Sequence, residues 1–189
     1  MANVLGRIQG FAAAALVLGI SVGAGAKWAH TGTPSASFTA HASMVGAKLN
    51  FTGTTNSVTV GEEGEAIAVS VQLATLSTKM DLRDKHVRQT LETDKYPMAK
   101  LVVPRGKLTF PDAENPKAGG TVNGALTLHG ITKPHRFKYH AQSNGATVHV
   151  TGEMEIELKE FDIVPHKYPG TKVQENVEIA VEFDLKNAN

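Results

Sequence analysis

YHAQSNGATVHVTGEMEIEL, residues 139–158, consists of two runs of alternating residues on either side of an Asn-Gly pair. Val148, Val150, Met154, Ile156 and Leu158 alternate with His149, Thr151, Glu153, Glu155 and Glu157. Successive side chains of a strand point to opposite faces, so this run confines its charge to one face and its apolar residues to the other. Asn144-Gly145 is the signal of a two-residue type I′ hairpin turn. A turn there predicts Ser143 opposite Ala146, Ala141 opposite Val148 and Tyr139 opposite Val150, apolar against apolar. The polar face would then set Arg136 opposite Glu153 and His140 opposite His149.

The same alternation extends outward in both directions. Val177, Ile179, Val181, Phe183 and Leu185 alternate with Glu178, Ala180, Glu182 and Asp184. Ile67, Val69, Val71 and Leu73 form another set, as do Val122, Leu126 and Leu128, then Phe137 and Tyr139, and more weakly Phe38, Leu49, Phe51, Val58 and Val60. Roughly eight to ten strands at this spacing read as an all-β sandwich or barrel. One helix of about ten residues is predicted after Thr78, with Thr78 as N-cap and Asp81 three residues on. Asp81 and Asp84 suit its first turn, Lys85 and Arg88 follow each by four residues, and the helix closes before Tyr96-Pro97. Leu82, His86 or Val87, and Leu91 would face the sheet. No repeat of 20–50 residues is present, and Pro111–Gly120 reads as a surface loop.

Composition narrows the function. The chain has 189 residues, enough for one ordinary domain, with 41% hydrophobic and 20% charged residues, as in a folded soluble protein. A net charge of +1 without a basic block disfavours a nucleic-acid surface. The absence of cysteine excludes disulfides, thiolate catalysis and Cys-type zinc sites. Met1–Ala26 carries Arg7, an Ala/Leu/Val/Gly-rich run and Ala24-Gly25-Ala26, the pattern of a secretory signal with an A-x-A-like cleavage site. An uncleaved anchor is the rival reading, but the glycines, Gln9 and Ser21 make the run weakly apolar. The expected division is a signal peptide over 1–26, a short polar segment over 27–34 and a barrel domain over 35–189. Export to the periplasm or the medium follows, with no membrane span after cleavage.

Catalytic patterns are absent: the sequence has no H-E-x-x-H and no G-x-S-x-G. Asp84 and His86, two apart on one helix, diverge around its circumference. Gly61–Gly64 encloses two glutamates, which would repel phosphate. His140 and His149 would supply two ligands of a metal site, with no third positioned, and ordinary surface histidines are the commoner case.

Two blocks carry a family resemblance. IAVSVQLATLSTKMDLRDKHVRQTLETDKYPMAKLVV, residues 67–103, resembles the YceI-like family at Ser77, Thr78, Arg83, Asp84, Leu91, Tyr96 and Pro97. VNGALTLHGITKPHRFKYHA, residues 122–141, resembles that family's second stretch at Gly124, Leu126, Thr127, Leu128, Gly130, Thr132, Lys133 and Pro134. Lys159-Glu160-Phe161-Asp162 keeps the aromatic of the family's Arg-x-Asp-Phe-Gly-like segment and lacks its arginine and glycine. The resemblance covers roughly residues 35–187. It implies a lipocalin-like antiparallel β-barrel of about eight strands with one short helix covering an end. It also implies a periplasmic binding or carrier protein, without catalysis or cofactor, whose apolar interior holds a hydrophobic small molecule such as an isoprenoid quinone, a polyprenol or a fatty-acid-like lipid. A homodimer stays open.

An eight-stranded barrel is about wide enough to fill itself with side chains or to hold one small ligand. Aromatics are only 6% of the chain, which favours an incompletely filled interior, ordinary packed core being the alternative. For a cavity, strand parity nominates Phe38, Leu49, Phe51, Val71, Leu73, Leu101, Leu126, Leu128, Phe137, Val150, Met154, Phe161 and Ile179, with Leu82, Leu91, Tyr96 and Met98 at a helix-covered mouth. Arg83 and Asp84 would either meet a polar head group or fix the helix to the rim. A metal-dependent enzyme using the histidines and a packed barrel serving as a protein-interaction module are the alternatives.

Overall fold

A computed structural model describes residues 28–187 apart from Gly46; the expected signal segment 1–26 lies outside these residues. The alternating segments form nine strands in chain order: β1 (Trp28–Met44), β2 (Ala47–Thr55), β3 (Val58–Glu63), β4 (Ala66–Gln72), β5 (Met98–Pro104), β6 (Lys117–Leu128), β7 (Ile131–Asn144), β8 (Thr147–Glu157) and β9 (Thr171–Asn187). The single α-helix among the described residues is α1 (Asp81–Thr90). The strands build one antiparallel sheet of order β2-β1-β9-β8-β7-β6-β5-β4-β3. Its two edge strands, β2 and β3, are consecutive in the chain and joined only by Asn56 and Ser57, so the sheet must curl until its edges approach. The seam is fastened by paired backbone bonds at 2.9 Å between Thr54 and Ser77 and by Gln72 N–H donating to the Ser57 carbonyl at 3.0 Å.

β1 already pairs with β9 at Trp28, so the polar stretch 28–34 is part of the sheet, and Trp28 stacks on Phe110. Along β8 and β9 the inward parity is as the alternation predicts: Val148, Ile156, Val177, Phe183 and Leu185 are buried. The β7–β8 hairpin differs from the sequence-based register. Asn144 pairs with Thr147, Ala141 with Val150 and Tyr139 with Gly152, which leaves Gly145 and Ala146 as the loop. Gly145 alone takes a positive φ, +68°, the pattern of a loop with glycine at its first central position. The register moves by two residues, so every side chain keeps its face.

The interior holds two packed regions. One, at the α1 end, gathers Leu128, Phe137, Tyr139, Leu158, Phe161 and Ile163. The other, at the hairpin end, gathers Val58, Val60, Ile67, Ala141, Val148, Phe183 and Leu185. Phe161 and Ile163 are wholly enclosed, and the Phe161 carbonyl is 2.9 Å from His129 Nδ1. Tyr96 packs its ring against His129 and beside Gly130, which joins the Tyr-Pro block to the Leu-x-Gly block in space.

Candidate functional site

Beneath α1 lies a cavity of about 190 Å³, lined largely by residues of the first of the two packed regions. Its walls are the inward residues of β1 (Ala36, Phe38, Ala40), β2 (Phe51), β4 (Val69, Val71), β5 (Ala99, Leu101), β6 (Leu126, Leu128), β8 (Met154, Ile156) and β9 (Val173, Val177, Ile179, Val181). Small residues at Ala36, Ala40 and Ala99 leave the volume that larger side chains would fill. Helix α1 roofs it with Arg83, His86, Val87 and Thr90, joined by Leu91 just past its end, the stripe that helical periodicity places on one face. Pro165, His166 and Tyr168 close the side.

The roof is fixed by Asp84. The residue before α1, Met80, contributes no side-chain cap. The buried Asp84 carboxylate instead reaches back and accepts the Thr78 backbone N–H at 2.6 Å, the Thr78 hydroxyl and the Ser77 hydroxyl at 2.9 Å. Burial acts to raise its pKa, but these bonds and the Arg88 charge outweigh it and hold the carboxyl below its ordinary value. The expected Thr78 cap is thus reversed, because Thr78 donates to Asp84 rather than accepting from the first turn. Arg83 and Asp84 do not act as a pair. Asp84 faces Ser77-Thr78, and the Arg83 guanidinium lies 5.3 Å from the Phe51 ring centroid at the cavity.

At the mouth, the His86 and His166 rings stack with centroids 4.0 Å apart, and His86 Nδ1 is 2.9 Å from the Tyr168 hydroxyl. Burial, then the His166 and Lys85 charges, lower the His86 pKa.

Of the residues nominated by parity, Phe38, Phe51, Val71, Leu73, Leu91, Leu101, Leu126, Leu128, Met154 and Ile179 line this cavity. The others do not. Phe137 and Phe161 are inward at the packed α1 end but do not reach the cavity, and Val150 belongs to the opposite packed region. Leu49 shares the face of Phe51 but lies beyond the rim and is 40% exposed. Leu82 is 63% exposed because it falls outside the helical stripe, and Met98 is 41% exposed because β5 turns its odd-numbered residues inward. Tyr96 packs on His129 instead of lining the mouth. The predicted His140–His149 pairing is not formed: the shifted register sets His140 opposite Thr151, and His149 is 2.9 Å from Asp184 and 3.5 Å from Glu182. Among the described residues no group of three or more His, Asp or Glu is placed to hold a metal ion. His166 and Tyr168 escaped the sequence reading because they sit in an irregular segment where no periodicity marks a face.

Comparison with known proteins agrees with this architecture. A YceI-like domain model matches residues 27–185. A polyisoprenoid-binding domain from Saccharophagus degradans, implicated in plant cell wall breakdown, superposes with a TM-score of 0.70 at 15% identity, covering 86% of this chain and 99% of that one. BcnA of Burkholderia cenocepacia gives 0.59 at 16% identity over 80% of this chain and 95% of that one. At these identities the likeness is one of fold. A UPF0312 protein of Pseudomonas putida (strain W619) is 38% identical over 78 residues, 40% of this chain, and the match spans only 38% of that relative's length. No helix among the described residues is long and apolar enough to cross a membrane. With a family model matching nearly the whole described chain and a nine-stranded curled sheet carrying one short helix, this chain belongs to the YceI-like family.

Proposed function

We propose that this chain is a periplasmic or secreted binding protein that holds the apolar chain of an isoprenoid or other long-chain lipid, as carrier, store or scavenger, and performs no catalysis. The observation that carries the reading is the cavity: aliphatic and aromatic side chains from seven strands surround it, and its charged and polar lining is gathered mainly on α1 and the 165–168 segment. Such an interior binds by removing apolar surface from water and needs no reactive group. The name of the Saccharophagus relative supports an isoprenoid, and the Met1–Ala26 pattern supports export.

Native mass spectrometry of the exported protein, followed by organic extraction, tests this. The expected result is a polypeptide beginning at Lys27 with a stoichiometric long-chain apolar molecule, such as a prenyl quinone or prenol. A protein that arrives empty and does not bind added isoprenoids would overturn the carrier reading.

A further inference from the structure

The charged residues of the cavity lining are all basic or imidazole: Arg83, Lys100, His86 and His166, with no carboxylate among them. Lys100 is already paired, its ammonium 2.6 Å from Glu63. Arg83 has no carboxylate partner among the described residues and is drawn over the Phe51 ring at the cavity edge. Three residues along α1, His86 stacks on His166, and Tyr168 packs edge-on against His166 with ring centroids 4.9 Å apart. The bond to the Tyr168 hydroxyl occupies His86 Nδ1 and leaves Nε2 without a protein partner among the described residues. Lys85 and Lys167 flank the two histidines in sequence, and the nearest acid on the helix, Asp84, is committed to Ser77 and Thr78. The mouth therefore gathers hydrogen-bond donors and positive charge over an apolar shaft, with no counter-charge of its own.

Building on the apolar-ligand reading, we propose that the cavity takes a hydrocarbon chain ending in an anionic oxygen head group, a carboxylate or a phosphate monoester, held at the mouth by Arg83, His86, His166 and the Tyr168 hydroxyl. Two stacked imidazoles repel one another when both are protonated, and Lys85 adds to that repulsion. An anion between them and Arg83 removes it. Ligand binding then takes up a proton at His86, so affinity for a ligand that stays ionised rises as pH falls.

The test uses three probes of one chain length, octanoate, octyl phosphate and octanol, titrated against the delipidated exported protein between about pH 5 and pH 8, a window that runs below the ordinary histidine value. The two anions should bind roughly 10- to 100-fold more tightly than the alcohol, as charge-assisted bonds imply. That margin should shrink in Arg83→Gln and in His166→Gln. His166 is exposed, so the second variant keeps its fold, which a thermal melt verifies. The stronger of the two anions names the head group as fatty acid or alkyl phosphate, and either supports the proposal. Equal binding of all three probes, unchanged in the variants, overturns the head-group site and leaves the apolar cavity standing. Binding of none of these, nor of a long-chain prenol, overturns the apolar-ligand reading itself.

Discussion

Replacing Asp84 by alanine tests how the cavity roof is held. Asp84 is 7% exposed and Thr78 8%, so the bonds between them are shielded from water. The carboxylate accepts three donors, and Ser77, one of them, is also the residue whose backbone pairs with Thr54 across the seam. The force path runs from β2 through Ser77 to Asp84 and so to α1. Hydrogen bonds to a charged group contribute about 1.5–3 kcal/mol each, but three that share one carboxylate do not add. Loss of the acceptor strands the Thr78 N–H and hydroxyl in a buried site, and each unsatisfied buried donor costs about 1–3 kcal/mol. With two donors stranded, about 2–6 kcal/mol in all, and about 2–4 °C per kcal/mol for a chain of this size, Asp84→Ala should lower Tm by about 4–24 °C. Asp84→Asn, which keeps one oxygen for Thr78, should fall between. Because the folded-state pKa is depressed, the carboxylate's contribution is fully present above its ordinary value of 3.8 and disappears as pH falls through the folded value. The gap between wild type and Asp84→Asn should therefore narrow in acid. Circular-dichroism melts of the three proteins at neutral and acidic pH measure this. A change in Tm for Asp84→Ala below about 2 °C, under 1 kcal/mol on the same scale, would refute the account of Asp84 as the fastening of α1.

Other perturbations probe the remaining parts of the structure. Gly130 has φ +76°, and a Cβ there would lie 2.6 Å from the Tyr96 ring, so Gly130→Ala should destabilise the chain by about 1–3 kcal/mol in denaturant titrations. Ala40→Phe places a ring in the cavity; the mass spectrum should lose the bound molecule while the fold survives an overpacking penalty of about 1–3 kcal/mol. In an NMR titration, His41 should titrate above 6.5, chiefly through its hydrogen bond to Asn50, and His86 below it, chiefly through burial. His41 thus adds stability below 6.5 that is lost as pH rises through its folded value. The reverse order of the two histidines would contradict the contacts described for both.

The face of most strand residues was legible in the sequence because alternation is a local property, Met98 being an exception. Glu153, Glu155, Glu178 and Glu182 point to solvent opposite Ile156, Val177 and Phe183, as their spacing requires. Register was less legible. An Asn144-Gly145 loop and a Gly145-Ala146 loop differ by two residues in pairing, and a shift of two returns every side chain to the same face. The hydrophobic pattern cannot separate them, and the His140–His149 pairing was lost with the choice. Height along the barrel is similarly silent: Phe137, Val150 and Met154 share an inward parity, but only Met154 reaches the cavity. On α1, hydrophobicity points to Leu82, whereas the roof is set by the stripe through Arg83, His86, Val87, Thr90 and Leu91, of which only Val87 and Leu91 are apolar. His166 and Tyr168 reach the mouth through a segment without period, so only the fold brings them to His86.

The size of the cavity makes the mouth important to affinity. About 190 Å³ exceeds the roughly 150 Å³ apolar cavity that admits benzene and falls short of the roughly 300–1,000 Å³ of sites for larger ligands. Scaled from benzene, it encloses about six to eight carbons, which at about 0.8 kcal/mol each give about 5–6 kcal/mol gross. Association opposes binding by about 4–15 kcal/mol, so that burial alone leaves little net affinity. A chain of about twenty carbons, wholly enclosed, would contribute about 16 kcal/mol, but only with α1 displaced from its present seat. The two routes to tight binding are therefore physically distinct. One moves the roof, and its resistance is the Asp84 fastening to Ser77 and Thr78. The other keeps the roof in place and adds polar contacts at Arg83, His86, His166 and Tyr168. Loosening the fastening should strengthen binding of a long neutral chain by the first route and leave the head-group margin of a short anionic chain intact by the second.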